Sequence, residues 1–204
     1  MRKWIIPVVI IVILVIWAVS SYNGLVAVRA QARTAWSNVE SSYQRRNDLI
    51  GNLVKTVQGA ADFERTTLRE VVEARAKATS INIDPANATA EQLAQFQQAQ
   101  NQVGGALSRL LVSVERYPEL KANQNFLALQ SQLEGTENRI NVARDRYNEA
   151  ANEYEIRTER FPTNIFANLF GFEKMPRFKA DEGAEDAPDV DFNFGNNGSA
   201  QPAN

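Results

Sequence analysis

The feature that most constrains this chain is a seven-residue seam that begins where a membrane-length apolar run stops. Positions 22, 29, 36, 43, 50 and 57 hold Tyr, Arg, Trp, Tyr, Ile and Val. Three residues after each come Leu25, Ala32, Val39, Arg46, Leu53 and Ala60. Residues spaced alternately by three and four share one stripe of a helix, so this period predicts a long helix packed lengthwise against partner helices. Arg29 and Arg46 sit on the seam. A guanidinium there must pair with an acid or reach something outside the bundle, because an unpaired buried charge is costly.

The run upstream, Trp4 to Val19 (WIIPVVIIVILVIWAV), is uncharged and rich in Ile and Val. At about 1.5 Å per residue it rises roughly 24 Å, and Ser20, Ser21 and Tyr22 extend it toward the ~30 Å of a hydrocarbon core. Trp4 at one end, with Trp17 and Tyr22 at the other, suits the interfacial aromatic belts. Residues 1–22 are therefore expected to anchor the chain as a single pass in a bacterial inner membrane. Arg2 and Lys3 precede the run and Arg29 is the first charge after it, which favours a bundle on the non-cytoplasmic side. The rival reading is a cleaved signal peptide, since Ala18-Val19-Ser20 has the small-x-small pattern of a cleavage site. The seam's start at Tyr22 without a linker favours retention.

Composition narrows the chemistry. The 204 residues contain no His and no Cys. That removes Ser-His-Asp and Cys-His catalysis, thiol redox chemistry, zinc-finger and metalloprotease ligand sets and haem ligation. No cofactor or metal is expected. Residues 22–179 carry 20 Lys and Arg against 18 Asp and Glu, interleaved, whereas residues 180–204 carry six acids and no base. A nucleic-acid footprint would need a basic stripe, and none is present, so no nucleic-acid partner is expected.

The remaining segments read as helices. Helix 1 should run to about Gln58, with a weak break at Gly59-Ala60-Ala61-Asp62 where Asp62 can cap a second helix. That helix carries Phe63, Leu68, Val71 and Val72. Residues 81–88, with Pro85 among Asn and Asp, read as a loop. Thr89 and Gln92 form a capping-box pair opening a third helix, which contains Gly104-Gly105 (a local weakness or a close helix contact) and ends at Tyr117-Pro118. Asn123 can cap a fourth, whose heptad is Phe126, Leu133, Ile140, Tyr147, Tyr154 and Phe161. The expected fold is all-α: an N-terminal transmembrane helix followed by an up-and-down four-helix bundle with long first and last helices. The bundle and a short C-terminal capping segment occupy 23–179. The cap, Thr163 to Phe172 (TNIFANLFGF), is expected to pack on the bundle base, with the bilayer interface as the alternative. The acidic tail 180–204 is expected to be disordered, with Val190, Phe192 and Phe194 alternating within it.

The polar residues to weigh as a site are Arg45, Arg46, Asp48, Asn52, Glu64 and Arg75, with Glu134, Glu137 and Arg144 on the last helix. Asp48 and Asn52 are four apart and share a face. Glu134, Glu137 and Arg144 can meet the first helix if the two are neighbours. The leading reading is a buried ion-pair network that fixes helix register. A ligand- or partner-binding pocket comes next and a catalytic acid–base pair last. The aromatic stripe (Tyr22, Trp36, Tyr43, Tyr147, Tyr154) reads as core, with polar tips reaching partners.

These segments together resemble the LemA family of bacterial membrane-anchored proteins. The matching pieces are YNGLV (Tyr22–Val26), Ala35-Trp36, RRNDLI (Arg45–Ile50) with Asn52-Leu53-Val54, Glu64 and Ala74-Arg75. Further on come YPELKAN (Tyr117–Asn123), NFLALQSQLEGTENRI (Asn125–Ile140), Tyr147-Asn148, Phe161-Pro162 and VDF (Val190–Phe192). Two departures stand out: Gly51 where the family usually has Pro, and Glu155 where Asn is common. The resemblance implies a single-pass membrane protein with a helical bundle and supplies no reaction. Its gene neighbourhoods, which sometimes include membrane metalloproteases, suggest a partner role.

The function expected from this sequence is that of a non-catalytic, membrane-anchored scaffold or accessory protein. It would act through the bilayer and through self-assembly as a homo-oligomer or another membrane protein. Alternatives are a regulatory adaptor of a membrane enzyme such as a protease, or a sensor holding a small ligand or peptide between helices 1 and 4. Apolar surface on the first helix (Val26, Val28, Val54) is expected to exceed what one bundle face covers.

Overall fold

In the computed structural model, which describes residues 2–59 and 64–179, every regular element is a helix. They are α1 (Arg2–Gln58), α2 (Arg65–Thr79), α3 (Ala90–Val114), the single turn α4 (Pro118–Lys121), α5 (Gln124–Glu159) and α6 (Thr163–Leu169). The all-α expectation holds, as does the long apolar N-terminal helix. The 57 residues of α1 run without interruption from the apolar run into the bundle. Its first part is exposed on all sides, from Trp4 to Ile16, and it is long and apolar enough to cross a membrane.

The seam of α1 is buried from Leu25 to Val57 except at half-buried Arg29, whereas Tyr22, expected in the core, is 40% exposed. Leu25, Ala32, Trp36, Val39, Tyr43, Arg46, Ile50, Leu53 and Val57 all lie inside. On α5 the buried set is Phe126, Leu133, Thr136, Ile140, Ala143, Tyr147, Ala151, Tyr154 and Thr158. Phe161 departs from the expected heptad: it is 77% exposed, because α5 ends at Glu159 and the chain turns away through Pro162. Val28 and Val54 are also not surplus surface. They are 6% and 7% exposed, because α5, α2, α6 and the chain beyond α6 meet α1 from different sides. Val26 alone of the three stays exposed.

Helix ends follow local chemistry. Thr89 accepts from the Gln92 N–H while Gln92 reaches back to the Thr89 N–H at 2.9 Å, completing the capping box. Asn123 accepts from the N–H groups of Asn125 and Phe126, offsetting donors that a helix start leaves unpaired. α3 ends at Val114, and Pro118 opens α4 instead of merely stopping α3. The glycine pair in α3 marks no close helix approach, since a Cβ on Gly104 would meet nothing within 4 Å. Helices 1 and 2 are separate elements. Ala60, the Asp62 cap and Phe63 lie outside the described residues, as does the tail from residue 180 with Val190, Phe192 and Phe194.

The helices alternate in direction. Antiparallel pairing of α1 with α5 appears in Trp36 against Tyr147, with ring centroids 5.1 Å apart, and in Arg46 against Glu137. For α2 with α3 it appears in Glu70–Arg109 and Glu64–Arg116, each at 3.0 Å. α2 stops at Thr79, so the membrane-proximal half lacks a fourth helix on that side. The loop 81–88 and a strap without regular structure, residues 171–179, fill the gap. Ile83 and Ala86 enter the core from the loop, and Phe172, Met175 and Phe178 enter it from the strap.

The core therefore has two parts. The membrane-proximal part is aromatic, built on Trp36, Tyr43, Phe96, Tyr147, Tyr154 and Phe178. The distal part is aliphatic, built on Ile50, Leu53, Val57, Val71, Val103, Leu110 and Leu133. Full burial of each such side chain stabilises by roughly 1.5–3 kcal/mol.

Candidate functional site

Between the two core parts lies a buried polar layer. Arg46, Asn47, Gln100 and Thr136 are each at most 7% exposed. Arg46 ties three helices together. One guanidinium nitrogen donates to Glu137 on α5 at 3.2 Å. Another donates to Gln100 on α3, to the side-chain oxygen and to the backbone carbonyl. Its cation also sits 5.0 Å over the Tyr43 ring. The guanidinium is buried while Glu137 is half exposed, so the carboxylate keeps much of its hydration and the desolvation cost falls mainly on the arginine. The fixed fork of arginine suits this divided recognition.

The other expected site residues separate. Asp48, Gly51, Asn52, Lys55 and Gln58 of α1 line an open cleft of about 500 Å³ with Val72 and Arg75 of α2. Arg75 lies across Gly51, where an added Cβ would stand 3.4 Å from the guanidinium. A Cβ at 51 would therefore just touch the Arg75 guanidinium. The Nε of Arg75 is buried without a hydrogen-bond partner among the described residues. Asp48 and Lys55 are exposed, and no ion pair among the described residues joins Asp48 to Lys55 or to Arg75.

Glu64 pairs with Arg116 at the top of the α2–α3 hairpin. Glu134 accepts from Gln130 on its own helix. Arg144 faces the strap, 4.8 Å over the Phe178 ring and bonded to the Lys179 carbonyl at 3.3 Å. Arg45 is exposed. Of the nine, then, Arg46 and Glu137 meet each other, and Asp48, Asn52 and Arg75 gather in the cleft. Gln100 and Asn47, which carry no charge, complete the buried layer. Gln100 falls on the α3 stripe between Phe96 and Val103, and that position was its only signal.

The strap is held by polar contacts to α5. Tyr147 donates to the Pro176 carbonyl at 2.8 Å. The Asn148 amide both donates to the Phe178 carbonyl and accepts from the Phe178 N–H. Lys174 bridges Glu155 and Glu159, and Arg177 pairs with Glu155 at 3.1 Å. Burial holds the Tyr147 phenol well above its ordinary range, so it stays protonated and donates throughout the physiological range. The hydrogen bonds that the Lys174 ammonium donates to the Glu159 and Glu155 carboxylates raise it above its ordinary value. Polar tips are not all satisfied as expected: Trp36 Nε1 and the Tyr154 hydroxyl are buried without a partner among the described residues.

A continuous membrane-length helix entering an all-helical domain defines a membrane-associated helical protein. The sequence refines this: residues 35–192 match the model of the LemA family, and the chain belongs to that family. It is 28% identical to Magnetosome protein MamQ 2 of Paramagnetospirillum magneticum, over 82% of this chain and 67% of that protein. Against Magnetosome protein MamQ of Magnetospirillum gryphiswaldense it is 26% identical, over 77% and 64%. Protein LemA of Metamycoplasma hominis is 22% identical, over 78% and 69%. The chain thus spans about two thirds of the length of these relatives.

Proposed function

We propose that this protein is a non-catalytic, membrane-anchored scaffold that presents its distal cleft to a protein partner. The observation that carries the reading is the contrast between Arg46, whose charge is taken up inside the bundle, and the cleft. There Asp48, Lys55 and Arg75 keep charged groups that no other described residue pairs with. α1 is continuous, so it holds residue 48 roughly 44 Å beyond the apolar run at about 1.5 Å per residue. A rigid stalk ending in unpaired, mixed charge suits docking of a complementary protein surface. Retention of the anchor accords with this, since Trp17 packs on Phe166 at 5.1 Å and cleavage near Ser20 would remove that contact. The N-terminal Arg2-Lys3 pair favours a bundle on the non-cytoplasmic face of a bacterial membrane.

The partner is a second copy in the self-assembling form of this reading and a membrane enzyme in the adaptor form. The sensor form finds less support: the polar cleft lies between α1 and α2, not between α1 and α5. The test is a photo-crosslinking residue at Gln58 or Lys55 in the full-length protein within its own membrane. An adduct at a multiple of 22.8 kDa identifies self-assembly. An adduct with one reproducible second protein identifies an adaptor. The proposal fails if the cleft positions give no protein adduct.

A further inference from the structure

The base of the bundle carries an apolar surface that the other described residues leave uncovered. Phe161, Ile165, Leu169 and Phe170 are 77%, 56%, 71% and 53% exposed. The opposite side of the same segment is packed: Ala167 is buried, and Phe166 meets Trp17 edge-on at 5.1 Å. Phe170 and Phe172 meet Tyr22 at 5.1 and 5.7 Å. α6 therefore sits beside residues 17–22, the level at which the apolar run of α1 ends.

We infer that α6 is a membrane foot: Phe161, Ile165, Leu169 and Phe170 enter the interfacial layer of the same bilayer that α1 spans. Three observations choose lipid as the occupant. The surface is continuous with the exposed apolar surface of the span through Trp17 and Tyr22. The twelve residues from Phe161 to Phe172 include no charged side chain, whereas charges flank them on both sides at Arg160 and Glu173. Trp17 and Tyr22, which pack against Phe166 and Phe170, are the aromatic types that favour the boundary between headgroups and acyl chains. A seven-residue helix poor in Lys and Arg would bind a membrane weakly if it were free. Here the span already tethers it at the surface, so a weak insertion is effectively intramolecular. The consequence is mechanical. One helix alone leaves a bundle free to swivel about its anchor, whereas a second contact off the helix axis fixes the tilt and direction of the cleft far above.

This inference rests on the span being in the bilayer, and the test separates the two. The chain contains no cysteine, so single substitutions give unique spin-label sites in the full-length protein. Leu169→Cys and Ile165→Cys report the foot, Ile11→Cys reports the span, and Val112→Cys, on an exposed distal residue, reports water. All are placed one copy per phosphatidylcholine nanodisc, and collisions with oxygen are compared with collisions with a water-soluble nickel chelate. The foot predicts an oxygen-to-chelate ratio at 165 and 169 several-fold above that at 112 and approaching that at 11. A ratio at 165 and 169 equal to that at 112, with 11 still in lipid, overturns the foot alone. A water-like ratio at 11 overturns the anchor reading. Protection from both agents at 165 and 169 overturns the foot in favour of a protein contact.

Discussion

The two halves of the bundle solve the same packing problem differently. The distal half buries branched aliphatic residues at regular positions of α1, α2, α3 and α5, and its interior comes from helices whose seams can be read directly. The membrane-proximal half has no fourth helix to complete it, because α2 ends at Thr79. It uses large rings to cover more space per residue, and it draws on the loop 81–88 and the strap for the rest. Trp36 is the centre of that arrangement, with Phe96, Tyr147 and Phe178 around it at centroid distances of 5.1–5.7 Å. The polar layer at Arg46 lies where the two styles of core meet. A buried polar group at one level penalises any sliding of α1 against α5, since a slip by one turn would leave the guanidinium without Glu137 and Gln100.

Each half is weakened most by a substitution at its centre. Trp36→Ala is expected to cost about 3–5 kcal/mol and Leu110→Ala about 2–5 kcal/mol, measured by denaturant unfolding. Hydrogen exchange should place the first loss of protection below Arg46 for Trp36→Ala and above it for Leu110→Ala. Uniform loss throughout the bundle in both would show that the halves are not separately organised.

The layer between them gives a smaller, asymmetric effect. Arg46→Ala removes hydrogen bonds to α3 and α5 and is expected to cost about 2–4 kcal/mol. Glu137→Gln touches a half-exposed partner and should cost less than about 1 kcal/mol. Equal costs would mean that the carboxylate, and not Gln100, holds the arginine.

Gly104 probes the distal half in the opposite direction. It is exposed and a Cβ there has open space, so Gly104→Ala should stabilise by roughly 0.5–1 kcal/mol through backbone entropy. A destabilisation would reveal a neighbour at that face.

The smallest effect at neutral pH belongs to Tyr147. Burial raises its phenol above the ordinary value of 10.0, so folding favours the neutral form. The associated stability is fully present below pH 10.0 and is lost as pH rises through the folded value. In an alkaline absorbance titration, Tyr147 should ionise only above the ordinary value and together with unfolding. Ionisation at the ordinary value in folded protein would show that the strap does not shield it.

Much of this was legible because α1 and α5 repeat a regular spacing over many turns, and periodicity is the signal that tertiary packing leaves most strongly in sequence. The caps at Thr89 and Asn123 were legible for the same local reason. The strap was not. Its buried residues Phe172, Met175 and Phe178 recur every third position, which suits a helix as well as an extended chain. The candidate site was legible in part. Charge drew attention to Arg46, Glu137 and Asp48, but Gln100 satisfies the arginine without carrying charge. Which acid of Glu134 and Glu137 meets Arg46 depends on the α1–α5 register, which composition does not encode. Phe161 shows the limit of extending a heptad past the end of its helix.

One unbroken helix carries the chain from the apolar run into a bundle whose membrane-proximal half is completed by the C-terminal strap. The most direct test is residue-level amide hydrogen exchange on the full-length protein in lipid nanodiscs. Continuous protection is expected along α1 from Trp17 to Leu53, with a slowly exchanging Phe178 amide held by Asn148 at 2.9 Å. Rapid exchange at residues 20–24, or at Phe178 while Tyr147 and Tyr154 stay protected, would contradict it.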